Sequence, residues 1–225
     1  MKSTLSIKFA LIFWITVAVD IIGIATGISL LHFIAKPLLV PVLIAWLFYS
    51  NTTVPFKKLL LTGLFFSWLG DVFFLLEDKN PNFFIFGLAS FLLTHIFYII
   101  YFLKIRSANT SLLKKQPLLI VLVTGYGCTL LWLLYPHLGA LTIPVIVYAI
   151  VICTMLTCSI HIFTKVNKPA NLLYLAGAAF FVLSDSLLAI NKFYQPFAFA
   201  GVCIMLTYCA AQYCIVNGFI KQKAP

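Results

Sequence analysis

Asp71 and Asp185 stand inside two of the most apolar stretches of the chain, FFSWLGDVFFLL and FVLSDSLLAI. A carboxylate at membrane depth costs at least about 2.5–3.5 kcal/mol on insertion scales, so it normally faces protein or water and marks a function. An apolar site favours the neutral, proton-bearing carboxyl group and a polar site the charged one. Two carboxyl groups in unlike surroundings can therefore divide acid and carboxylate work between them. The plainer alternative is an interhelical hydrogen-bonded pair, Asp71 with a tyrosine or Asp185 with Lys36. Proton-coupled transport draws on the same kind of residue.

The surroundings of these aspartates are set by composition. Of 225 residues, 63% are hydrophobic and only 9% charged, and the mean hydropathy is +1.11. Soluble domains carry about a quarter charged and roughly 45–50% apolar residues. No soluble core hides this much apolar surface, so the chain reads as an integral membrane protein. Its formal charge of +10 comes from basic residues set singly or in pairs between apolar runs. That pattern is a topology signal of membrane proteins, and a nucleic-acid partner is not expected. The six cysteines lie inside apolar segments without CxxC spacing and read as small core residues. The start, MKSTLSIKFALIFWITVAVD, reads as a first membrane helix rather than a signal peptide.

A helix needs about 20 apolar residues to cross the bilayer core. Cutting at polar and Gly/Pro clusters gives eight spans: Ile7 to Ile24, Leu30 to Ser50, Lys57 to Glu77, Asn82 to Leu103, Gln116 to Tyr135, Gly139 to Thr164, Pro169 to Asn191 and Pro196 to Phe219. The expected fold is all-α, a polytopic transmembrane helix bundle forming a single transmembrane domain over residues 1–225. With a cytoplasmic N-terminus, one side collects Lys2, Lys8, Lys57, Lys58, Lys104, Arg106, Lys114, Lys115, Lys165, Lys168, Lys221 and Lys223, and the other only Lys79 and Lys192. This bias puts both termini in the cytoplasm, with a bacterial inner membrane as the expected location. The third and seventh spans then run outward. Asp71, Asp185 and Lys36 each lie six residues from the outer end of their span, about 9 Å below the boundary at 1.5 Å per residue. Asp20 falls in the same layer, and a shared polar cavity opening outward is the expected arrangement.

Other polar residues join this layer. Lys36 precedes Pro37 in a helix expected to kink, and either snorkels to the interface or binds a phosphate or an aspartate. His95 reads as a structural hydrogen-bonder or a cavity residue. Tyr148, Tyr208 and Gln212 are candidates for the same lining, the last two on one face of the eighth span. His32, His137 and His161 fall near span ends and read as interfacial. No three histidines converge, so no metal is expected. The run Leu69-Gly70-Asp71 matches Leu183-Ser184-Asp185, and Leu93-Thr94-His95 matches Leu206-Thr207-Tyr208, lying 24 and 23 residues after their aspartates. Elements four helices apart share orientation, so this is the pattern of a 4+4 parallel internal repeat.

At Lys36-Pro37, FFSWLGDVFFLL, FLLTHIFYIIYF, Pro144 with Tyr148, GAAFFVLSDSLLAI and LTYCAAQ, the chain resembles the YhhN family of membrane lysoplasmalogenases. These segments span nearly the whole chain. The resemblance implies hydrolysis of the vinyl ether bond of a lysoplasmalogen, releasing a fatty aldehyde and glycerophospho-ethanolamine or -choline. Such a bond breaks when a general acid protonates its β-carbon. The oxocarbenium ion that forms captures water as a hemiacetal, which then collapses. Asp71 and Asp185 fit as the acid and the carboxylate that steadies the cation, in either order. Lys36 would hold the lipid phosphate, and His95, Tyr148, Tyr208 and Gln212 would complete the hydrogen-bonding shell, with no cofactor required. The competing readings are a proton-coupled lipid transporter or lipid-binding receptor, and a structural scaffold.

Overall fold

The computed structural model describes residues 2–50, 52–106 and 111–223, with the side chains of residues 2–4, Lys2 among them, outside the description. All regular structure among the described residues is helical. The long helices are α1 (Lys2–Thr26), α2 (Ser29–Tyr49), α3 (Lys57–Leu75), α4 (Asn82–Ile105), α6 (Leu118–Leu134), α7 (Thr142–Ile162), α8 (Ala170–Ala189) and α9 (Ala200–Lys221). A single turn, α5 (Leu112–Lys115), precedes α6. Eight of these helices are long and apolar enough to cross a membrane, and the chain is a multi-pass membrane protein. It divides into two compact units, Met1–Tyr98 and Ile99–Lys223, with the division falling inside α4.

The span ends differ from the expected ones for local reasons. Asn191 Oδ1 accepts the backbone N–H of Phe197 at 3.3 Å, which keeps the segment before α9 in a loop and delays that helix to Ala200. The third helix stops at Leu75 and continues as a 3-10 turn, Glu77–Lys79. The helix carrying Asp185 instead relaxes into a π-helical turn, Ile190–Tyr194. Pro117, which has no N–H to give, sits just before α6 as its N-cap.

In the first unit, the brief interruption GIATGIS is a tight hairpin. Gly27 takes φ +73°, a left-handed conformation that ends α1 at small cost only for glycine. A Cβ on Gly23 would lie 2.7 Å from the backbone nitrogen of His32, so α1 and α2 meet with no room for a side chain there. Helix α2 holds Pro37 and Pro41. Because Pro41 has no N–H, the carbonyl of Pro37 loses its partner within the helix. The indole Nε1–H of Trp68 on α3 donates to that oxygen at 3.0 Å. A sequence-imposed defect in one helix thus fixes the rotation of the next, and Asp71 follows Trp68 by one turn. The end of α2 is capped in turn by Lys57, whose Nζ donates to the carbonyls of Phe48 and Ser50 at 2.8 and 2.9 Å.

Small residues set the helix seams. Gly63 and Gly70 of α3 admit the rings of Tyr98 and Phe91 of α4, and Thr94 donates to the carbonyl of Gly63 at 3.1 Å. In the second unit, Gly177 of α8 lies against Ile215 and the carbonyl of Ala211 on α9. Ser184 donates to the carbonyl of Ile204 at 3.1 Å. Close approach at small residues is what gives membrane helices their packing energy, since lipid offers no hydrophobic drive between them. At the far end of α8, the hydroxyls of Tyr101 and Tyr174 and the Gln222 Oε1 form a buried triangle with sides of 2.7 to 2.9 Å.

The Trp68–Pro37 bond gives a direct test. Trp68→Phe strands a carbonyl in the helix interior and is expected to lower unfolding stability by about 1–3 kcal/mol. Pro41→Ala restores an intrahelical donor to the same carbonyl. Thermal unfolding of the detergent-purified double variant should recover part of that loss, and additive losses would refute the explanation.

Candidate active site

In the first unit the aspartate of α3 is almost fully buried, with Asp71 only 1% exposed. Its neighbour Gly70 leaves a space that the Phe91 ring fills. His95, one turn on from Phe91 along α4, is fully buried. Lys36 is 8% exposed, and its Nζ lies 5.9 Å from the centre of the Phe74 ring, one turn beyond Asp71. At that distance the ring face attracts the ammonium, an arrangement worth more where water is excluded. The Lys36 side chain thus runs along α3 toward the Leu75 end of that helix.

A second acidic group sits in the same unit. Asp20 is fully buried on α1, and His32 on α2 meets its Oδ1 at 2.7 Å through Nδ1. His32 is thus the partner of a buried carboxylate, not only an interfacial side chain. The sequence held a signal for it: Asp20 and His32 stand within two helical turns on either side of the GIATGIS interruption, so a hairpin there brings them within reach of each other.

In the second unit, α7 and α8 bring two of the expected residues together. Tyr148 donates its hydroxyl proton to Asp185 Oδ2 at 2.6 Å, a short, charge-assisted distance. Asp185 lies four residues before α8 ends at Ala189, as Asp71 lies four before α3 ends at Leu75. Both Tyr148 and Asp185 line a groove of about 50 Å³ between α6, α7 and α8. Its other walls are hydrocarbon, with Leu130, Leu134, Val145, Ile152 and Val182 prominent. Beside Asp185, Ser186 accepts a hydrogen bond from Tyr126 of α6 at 2.8 Å and donates to the carbonyl of Val182 at 2.6 Å. Tyr126 and Ser186 were not apparent as site residues in the sequence, since a tyrosine and a serine in apolar helices carry no spacing signal.

Tyr208 and Gln212 are buried one turn apart on α9. Tyr208 packs edge-on against Phe181, with ring centres 6.0 Å apart, one turn of α8 before Asp185. These two residues line the α8–α9 seam rather than the groove that holds Tyr148. The groove therefore contains one carboxylate, fixed by a phenol, against a wall otherwise mostly of alkyl groups, with the Tyr126–Ser186 pair and Cys153 among them. Such a site can accept a developing positive charge on an apolar ligand.

Comparison with known proteins gives the chain its family. The YhhN family model matches residues 31–219, which include Lys36, Asp71, His95, Tyr148, Asp185, Tyr208 and Gln212. Lysoplasmalogenase TMEM86A of Bos taurus is 29% identical over 195 residues, covering 82% of this chain and 77% of its own. The Homo sapiens protein of that name is 30% identical over 200 residues, with the same coverage of 82% and 77%. A Mycobacterium tuberculosis protein named lysoplasmalogenase is 32% identical over 139 residues, 60% of this chain and 51% of its own. No solved structure matches the chain. With its match running from α2 to α9, the chain belongs to the YhhN family.

Proposed function

We propose that this protein is a membrane hydrolase that cleaves the vinyl ether bond of lysoplasmalogens, the activity named in its bovine, human and mycobacterial relatives. The observation that carries this reading is the Asp185 carboxylate, held by Tyr148 at 2.6 Å on the wall of a hydrocarbon groove. Vinyl ether hydrolysis needs an acid to protonate the β-carbon, a negative charge near the resulting oxocarbenium ion, and water. Asp185 accepts the Tyr148 hydroxyl at Oδ2, so we assign it the charge-bearing role, and the reading of the sequence as an Asp pair leaves the acid's role to Asp71. The acid's proton passes to the β-carbon, water adds to the cationic carbon, and the hemiacetal collapses to aldehyde and alcohol. A proton from that water returns to the acid. Lys36, a buried cation beside the Phe74 ring, is suited to the lipid phosphate.

The same reading places both termini in the cytoplasm, in a bacterial inner membrane, with the carboxylates in the extracytoplasmic half. It also takes the chain as one transmembrane domain with a 4+4 parallel repeat. Packing within each unit supports the repeat: Gly63 and Gly70 stand to Tyr98 and Phe91 as Gly177 and Ser184 stand to Ala211 and Ile204.

Asp71→Asn and Asp185→Asn are each expected to lower turnover by at least about 10²–10⁴-fold, the usual worth of a positioned acid or base, while the protein keeps its purification yield and melting temperature. In D₂O, the wild-type aldehyde should carry one deuterium on the carbon next to its carbonyl, as β-carbon protonation requires. Wild-type-like turnover by both variants would remove the mechanism, and binding of the lipid without conversion would identify a transporter or receptor. Tyr148→Phe leaves the ring and removes the donor to Asp185. It is expected to lower kcat by about tenfold or more with KM little changed, the mark of an interaction made chiefly in the transition state. A rise in KM alone would instead assign Tyr148 to ground-state binding.

A further inference from the structure

The groove that holds Asp185 has a shape with its own consequence. Helix α6 contributes only Gly127 and Leu134 to the buried set, and much of its surface is turned outward, with Trp132 79% and Tyr126 44% exposed. One end of the groove is shut by the cluster of Leu134, Leu138 and Val145, against which Phe193 of the π-helical turn and Ala189 pack. At the other end, a Cβ on Gly127 would lie 2.9 Å from Cys153 Sγ, so the passage there is only as wide as a missing side chain. From Tyr126 to Leu134 the groove follows α6 for about 12 Å. Its volume of about 50 Å³ is several times the roughly 10–15 Å³ that one water needs, which leaves room for water beside the Tyr148–Asp185 pair, while the alkyl walls suit an apolar guest. The hydroxyls of Tyr126 and Ser186 are turned onto each other and onto the Val182 carbonyl. Apart from the Tyr148–Asp185 pair, the groove therefore offers a ligand mainly hydrocarbon.

We propose that this groove is the binding site for the hydrocarbon chain of a single-chain lipid, which slides in sideways from the bilayer past Tyr126. The closed end at Leu134 and Val145 leaves the lateral face of α6 as the way in. The narrow passage at Gly127 and Cys153 admits one chain, so a two-chain lipid would have to leave its second chain outside. Tyr126, at the entrance, bonds Ser186, the residue next to Asp185, so a chain whose headgroup stays at the entrance has its first carbons beside the carboxylate. The identity of the bond beside Asp185 rests on the hydrolase reading; the occupation of the groove by a single chain does not.

Two measurements on the purified full-length protein in nanodiscs test this. A non-cleavable alkyl-ether lysophospholipid bearing a mid-chain diazirine is photolysed, and the labelled residues are found by mass spectrometry. Label is expected on the groove face of α6 and α7, between Tyr126 and Leu134 and between Val145 and Cys153, and it should be displaced by unlabelled lysolipid but not by diacyl phosphatidylcholine. Label elsewhere, or equal displacement by the two-chain lipid, would overturn the proposal. The second measurement fills the groove with Ala149→Phe, and independently with Gly127→Val. Each is expected to reduce kcat/KM for a hexadecenyl substrate by about tenfold or more relative to a butenyl one. Ile150→Phe adds the same bulk at a position that is 59% exposed, outside the groove, and should leave both substrates unaffected. Equal losses on long and short chains, in protein that keeps its melting temperature, would also refute the assignment. If the wild type labels in the groove but cleaves nothing, the hydrolase reading fails and the chain site stands.

Discussion

In a hydrocarbon slab there is no water to finish a hydrogen bond, so polar groups of the chain need partners inside the protein. Much of this structure answers that constraint. Pro41 deprives the Pro37 carbonyl of its helical donor, and Trp68 supplies one from the neighbouring helix. The buried Tyr101 and Tyr174 find a common acceptor for their hydroxyls in Gln222. Asp185, the costliest kind of side chain to place in a span, is met by Tyr148. The helices are positioned less by attraction between apolar faces than by these bonds and by the small residues that let backbones approach.

The same constraint separates what was legible in the sequence from what was not. Eight spans follow from run length and from the punctuation of Gly, Pro and charge, and they reappear with ends displaced by at most five residues. The displacements come from side chains acting on backbone: Asn191 holding Phe197 in a loop, or α8 relaxing into a π-helical turn after Ala189. No hydropathy profile contains those bonds. Asp71 and Asp185 were conspicuous because carboxylates are rare in such company, and the helical position of Tyr148 made it a candidate. That Tyr148 bonds to Asp185 needed the packing of α7 on α8. Tyr126 and Ser186 were invisible because a hydroxyl in an apolar helix costs little when it can bond to its own backbone, as Ser186 does to Val182. The Asp20–His32 pair lies between these cases, since the hairpin at Gly27 alone brings the two residues within reach of each other.

Family membership and local geometry bear on function in different ways. Membership joins the chain to proteins named lysoplasmalogenase, and the groove supplies a physical reason for that name to fit. Its walls suit an alkyl chain, and its one fixed carboxylate suits a carbon that becomes positive. An ester has no such need. Its transition state gathers negative charge on oxygen, which a carboxylate repels and an oxyanion hole of N–H donors would stabilise. The proposed chemistry therefore makes the site selective by the sign of the charge it meets, in addition to the shape of the chain it holds.

The most direct measurement is aldehyde release by the purified protein from a lysoplasmalogen, set beside fatty-acid release from the ester-linked lysophospholipid of the same chain length and headgroup. Cleavage of the vinyl ether with the ester left intact is the predicted result. Hydrolysis of both at similar rates, or of the ester alone, would contradict a site built around a carboxylate for a cationic intermediate.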